Sequence, residues 1–154
     1  MSISDIIEQY LKKILHDNEM KTVEIRRSEI ANQFQCVPSQ INYVINTRFT
    51  MEKGYIIESK RGGGGYIRIS RVQHQDEYEL INHLTNLIQS QISQHSAQDI
   101  IERIYEKKVI TNREKKIMLA AINREVLAVA LPERDQLRAR ILLTMLNTLK
   151  YMER

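Results

Sequence analysis

A mainly α-helical chain with a mixed α+β head is what these 154 residues specify. Apolar residues recur at three- and four-residue steps through most of the chain, the mark of helices that bury one stripe. Two short β-rich runs, "GYIIESK" and "YIRIS", stand either side of a loop holding Gly62, Gly63, Gly64 and Gly65, and so read as a hairpin. Beyond residue 77 the strand signals stop and only helical patterns continue.

The elements follow in order. Ser2 or Ser4 caps a first helix whose stripe is Ile3, Ile6, Ile7, Tyr10, Leu11, Ile14 and Leu15. "TVEI" is a short strand. "RRSEIANQF" is a helix of about two turns burying Ile30, Ala31 and Phe34, and "QCV" is a short turn. "VPSQINYVINTRF" is a third helix, with Pro38 in the first turn, where its missing N–H does no harm. Ile41, Val44 and Ile45 face inward there. The order helix, strand, helix, turn, helix, strand, loop, strand is that of a winged helix-turn-helix with a β-hairpin wing. Residues 1–71 form this DNA-binding head, 72–77 a polar linker, and 78–154 a four-helix dimerisation domain.

In that second part, Tyr78, Ile81, Leu84, Leu87 and Ile88 mark a fourth helix. "SAQD" at Ser96 opens a fifth, with Ile100, Ile101, Ile104 and Tyr105. "TNRE" at Thr111 is a capping box opening a sixth, with Ile117, Met118, Ala121 and Ile122. Pro132 ends that pattern and starts a seventh. Its Leu142, Leu143, Met145, Leu146 and Leu149 form a wide apolar surface that calls for a symmetric partner.

Four glycines exceed what a tight turn needs, and each one lost to order costs entropy. A backbone without Cβ atoms can approach a sugar-phosphate wall, or enter a minor groove, and leaves N–H groups for phosphate oxygens. Lys60 and Arg61 before the run and Arg68 after it add positive charge. On the third helix the outward face is the reader. Gln40 and Asn42 suit base edges, Ser39 and Asn46 lie beside them, and Tyr43 and Arg48 suit phosphates. Arg26 and Arg27 suit backbone clamps. Ordering such a loop on DNA grows less favourable with temperature, so DNA affinity falls on warming without global unfolding.

Charge distribution agrees. The whole chain carries +4, yet Ile25–Arg71 holds eight basic and three acidic residues, an excess larger than the total. A lone cysteine, Cys36, excludes a disulfide framework. The four histidines are scattered, so no metal and no cofactor is expected. No carboxylate arrangement or nucleophile motif suggests an enzyme. Nucleotide-binding glycine loops require a helix after the glycines, and here a strand follows. With no signal peptide and no spanning run, the cytoplasm is the expected compartment. The competing reading is a winged-helix protein-interaction adaptor that does not bind DNA; a steep loss of binding with salt separates the two.

The block "VPSQINYVINTRFTMEKGYIIESKRGGGGYIRI" closely resembles the class III heat-shock repressors, the CtsR transcriptional regulators of low-GC Gram-positive bacteria. "SDIIEQYLK" and "REKKIMLAAI" extend the resemblance along the chain. It implies a dimeric repressor of clp protease and chaperone genes, binding double-stranded operator DNA, with the glycine-rich wing as heat sensor. It also implies control by a protein arginine kinase and the Clp protease machinery, with Arg61 as the candidate phosphorylation site. The family operator is a direct repeat, whereas a two-fold dimer prefers inverted half-sites.

Overall fold

The computed structural model describes residues 1–60, 65–72 and 76–151. The chain divides into two compact units, Met1–Gln73 and His74–Arg154.

The first unit is built on α1 (Ile3–Asp17), β1 (Thr22–Ile25), α2 (Arg27–Gln33), α3 (Pro38–Arg48), β2 (Tyr55–Lys60) and β3 (Tyr66–Arg71). Ser2 caps α1 in a reciprocal box: its Oγ accepts from the Asp5 N–H, and its own N–H donates to Asp5 Oδ2, both at 3.2 Å. The buried line of α1 runs through Ser4, Ile7, Leu11 and Leu15. It is narrower than the apolar pattern, and Ile3 and Ile6 stay exposed. In the first turn the covered position is Ser4, because a polar partner from α3 sits over it.

The two wing strands pair antiparallel, from Tyr55 opposite Arg71 to Lys60 opposite Tyr66. β1 adds to the far edge of β3, giving the order β1-β3-β2. Ile67 and Ile69 project from the central strand into the core, beside Ile25 and Tyr55. Phe49 meets the Tyr55 ring edge-on at 4.8 Å between centroids, and Tyr10 meets Phe34 at 5.2 Å. Ile41, Val44 and Ile45 of α3 are buried as expected. Between α2 and α3 the chain reverses through Gln35, at φ +54°, and the Cys36 N–H closes the turn on the Ala31 carbonyl at 2.9 Å.

The second unit holds α4 (Glu77–Leu87), α5 (Gln94–Glu106), α6 (Asn112–Ala121) and α7 (Glu133–Tyr151). Asp76 caps α4, so that helix takes in Glu77. α5 opens three residues ahead of the expected start. Ser93 is the cap, its Oγ accepting from Ser96 N–H at 3.1 Å, and Asp99 faces His95 instead. The box at Thr111 and Glu114 forms as expected. α6 then ends at Ala121 rather than continuing to Pro132. Asn123 breaks it, its Oδ1 accepting from Glu125 N–H and its carbonyl from the N–H groups of Val126 and Leu127.

The core of this unit gathers Leu80, Ile81, Leu84, Ile100, Ile101, Ile104, Ile122, Leu142 and Leu146. Leu143, Met145 and Leu149 are only partly covered, packing at its edge. Ile117 and Tyr78, expected inside, are exposed. Tyr78 instead receives the Lys150 ammonium over its ring at 4.8 Å. A feature the apolar pattern gave no sign of is Arg138, 1 % exposed. Its guanidinium donates to the carbonyls of Ile122 (2.8 Å) and Ile92 (3.1 Å) and to the Asp135 carboxylate. It thereby fastens the end of α6 and the α4–α5 connection to the first turns of α7.

Candidate nucleic-acid interface

Helix α3 is a short rod with two chemistries. One side fits the core through Ile41, Val44 and Ile45, and the other carries Ser39, Asn42, Tyr43 and Asn46, all exposed. Alternation at helical spacing puts those four polar or aromatic side chains on the outside together. Gln40 lies at the boundary. It is half-buried, with Nε2 2.6 Å from the Ser4 hydroxyl of α1.

Arg48, expected on a phosphate, is part-exposed and pairs with two carboxylates of the head. Its Nη1 lies 2.9 Å from Asp5 and 2.6 Å from Glu8, both on α1. The Arg48 hydrogen bond, followed by those from Ser2, holds the Asp5 carboxyl below its ordinary value. For Glu8, burial pushes upward, but the bonds from Lys12 and Arg48 outweigh it and the carboxyl is lowered. Asp5 and then Glu8 raise Arg48 in return. With the Gln40–Ser4 contact, the two ends of α3 are thus tied to α1 by polar groups, while its middle is held by apolar packing.

Of the two arginines at the start of α2, Arg26 is exposed in the cap position, and Arg27 is the first residue of the helix. Arg27 Nε donates to the Asn42 side-chain oxygen. The helix before the turn therefore reaches over to the outward face of the helix after it.

On the hairpin, Lys60 ends β2, exposed, with its ammonium 5.9 Å from the centre of the Tyr66 ring. Gly65 opens the return strand with φ +58°, a left-handed conformation that glycine adopts without strain. Among the described residues a Cβ there would meet the Lys60 carbonyl at 3.6 Å, an ordinary contact, so the positive φ is what favours glycine. Arg68 is engaged: both its Nε and Nη2 reach Glu24 Oε1, at 3.1 and 2.7 Å, and Glu58 lies 3.9 Å away on the other side. Hydrogen bonding to Glu24 raises its pKa further. Arg61, Gly62, Gly63 and Gly64 lie outside the described residues.

The acidic partners were not anticipated. For Arg68 the signal was present, since counting back from the glycine loop places Glu58 directly opposite it in the hairpin. For Arg48 no local pattern shows that α1 crosses its path. Among the described residues no group of histidine, cysteine or carboxylate side chains could hold a metal, and no helix is long and apolar enough to cross a membrane.

Comparison with known proteins gives a consistent result. Residues 2–73 match the family model of the CtsR N-terminal HTH domain, and residues 76–147 that of the CtsR C-terminal dimerization domain. The transcriptional regulator CtsR of Geobacillus stearothermophilus is 63% identical over 150 residues, covering 97% of this chain and 98% of that protein. Its counterpart in Bacillus subtilis strain 168 is 58% identical over 149 residues, covering 97% of each. A crystal structure of CtsR in complex with a 26 bp DNA duplex superposes with a TM-score of 0.94 at 62% identity, over 98% of this chain and all of that one.

Proposed function

The chain belongs to the CtsR family of transcriptional regulators, and from that premise we propose that it is a dimeric, sequence-specific DNA-binding repressor of heat-shock (clp) genes. It is a regulator and not an enzyme. The observation that carries the reading is the two-sided α3. A core-seated helix with four polar or aromatic side chains facing solvent stands next to a basic antiparallel hairpin in one compact unit.

In this reading α3 enters the major groove. Asn42, Ser39 and Asn46 meet base edges there, and Tyr43 meets the sugar-phosphate wall. The positions of Arg26 and Lys60, exposed on either side, favour phosphate contacts. Arg61 and the glycines of the loop approach the adjoining minor groove, where arginine suits the enhanced negative potential. Gln40, Arg48 and Arg68 are bonded within the head, as Asn42 is, and only part-covered, so they contact DNA by exchanging or sharing those bonds. Two heads joined through the helical unit gain site length and effective concentration.

Warming makes the entropy lost by a docking glycine loop weigh more, and the DNA-bound state loses ground while the fold persists. A phosphoryl group on Arg61 replaces a cation by an anion facing DNA, which opposes binding. That is the route by which an arginine kinase, with the Clp protease machinery downstream, would relieve repression.

The test is fluorescence anisotropy on a duplex carrying the DNA upstream of clp genes, at two temperatures and over a salt series. Affinity should fall steeply with salt, in proportion to the phosphates neutralised. It should also fall on warming, at temperatures where circular dichroism is unchanged. Binding that ignores salt, or that matches on scrambled DNA, would overturn the assignment.

A further inference from the structure

We propose that Arg27 is a specificity-setting residue: by engaging the Asn42 oxygen it dictates which atoms of that amide face a DNA base. This rests on the reading of α3 as the base-reading helix. The guanidinium has donors and no acceptor. The Asn42 atom that receives the Arg27 Nε–H must therefore be the oxygen, whichever way an amide might otherwise be turned. The Asn42 amino group then points the other way, from an exposed position on the outward face of α3. The Gln40–Ser4 contact has no such directionality, because a hydroxyl both donates and accepts.

The consequence is chemical. A free asparagine recognises adenine with both ends of its amide, accepting from N6–H and donating to N7. Arg27 engages one lone pair of the Asn42 oxygen and leaves the second, so the amide keeps its acceptor beside its donor, now in one fixed orientation. Guanine offers acceptors alone, O6 and N7, and leaves the amide oxygen's second lone pair unused. The pair Arg27–Asn42 thus favours adenine, which meets both ends of the held amide, over an acceptor-only edge at one base pair of each half-site. Two residues fifteen positions apart on different helices act as one reading unit, with Arg27 as the positioning member.

The experiment measures binding to a panel of duplexes in which each operator base pair is changed in turn, at fixed salt. The base pair whose selectivity flattens with Asn42→Ala is the one Asn42 reads. There the wild type should favour adenine by about tenfold. Arg27→Met, which keeps the aliphatic stem, should shrink that preference to about twofold or less and leave the other positions ranked as before. Arg27→Ala should do the same, and circular dichroism confirms that each variant folds. Arg26→Met should instead weaken every duplex by a common factor, as loss of a phosphate contact does. If Arg27→Met also weakens all duplexes equally, or if the wild type shows no preference for adenine at that pair, the proposal is overturned. If Asn42→Ala flattens no base pair while the protein still binds the operator selectively, the reading of α3 itself fails, and the role of Arg27 with it.

Discussion

Replacing Arg138 by methionine tests whether the helical unit is fastened by one buried cation. The side chain is 1 % exposed and serves three acceptors: the Ile92 and Ile122 carbonyls and the Asp135 carboxylate. Methionine fills much of the volume but offers no donor. Each orphaned carbonyl costs about 1 kcal/mol, the low end for buried groups that retain some freedom to adjust. Loss of the pairing with Asp135 adds about 1 kcal/mol more, kept small because a quarter of that side chain still meets water. The sum is about 3 kcal/mol. With a urea slope of about 2 kcal/mol per molar, the unfolding midpoint should fall by about 1.5 M. The assay is urea unfolding followed by far-UV circular dichroism at one fixed protein concentration, since dimer stability depends on it. Arg140→Met, two residues away on the exposed side, should stay within about 0.5 kcal/mol of wild type. A midpoint shift for Arg138→Met below about 0.5 M would refute the reasoning, showing that water or backbone adjustment satisfies the carbonyls.

Three further outcomes are expected. The carboxyls of Asp5 and Glu8 are lowered in the folded head, so their contribution is complete above their ordinary values and disappears as pH falls through the depressed ones. Wild type should therefore lose stability between about pH 5 and pH 2 more steeply than Arg48→Met, read as urea midpoints along that range. Ser93→Ala should destabilise the helical unit by about 1 kcal/mol while Ser96→Ala stays near zero, which thermal unfolding of both variants distinguishes. Gly65→Ala should cost about 1 kcal/mol for the left-handed backbone and nothing for crowding, so calorimetry should show a small loss without a change of fold.

Apolar spacing and turn chemistry made most of the fold legible. Ile41, Val44 and Ile45 announced the inner face of α3, and the paired β-rich runs around the glycines announced the hairpin. These signals are local: they depend on residues within one turn or one strand of each other. The start of α5 was missed because "SQHS" and "SAQD" both offer a serine cap, and nothing local ranks them. Ile117 was misplaced because periodicity gives the angle of a residue on its helix but not whether a neighbour comes to cover it.

The candidate site divides along the same line. Its outward residues were legible, since a polar face opposite an apolar stripe is a one-helix property. Its wiring was not: Arg48 to Asp5 and Glu8, Gln40 to Ser4, and Arg27 to Asn42 each join residues from two different helices. Charge counting treats Arg48 and Arg68 as part of the basic surface offered to DNA. In the folded head Arg48 is paired with Asp5 and Glu8, and Arg68 with Glu24 and Glu58, so part of the charge that counting assigns to that surface is offset within the fold. The same reasoning bears on the proposed reading of sequence by a helix so rich in amides. Asparagine and glutamine are ambiguous recognition groups, because either end of the amide can face a base. A helix carrying them gains selectivity when the surrounding fold fixes their orientation, and Arg27, a donor-only side chain at the first position of α2, is placed to do so for Asn42.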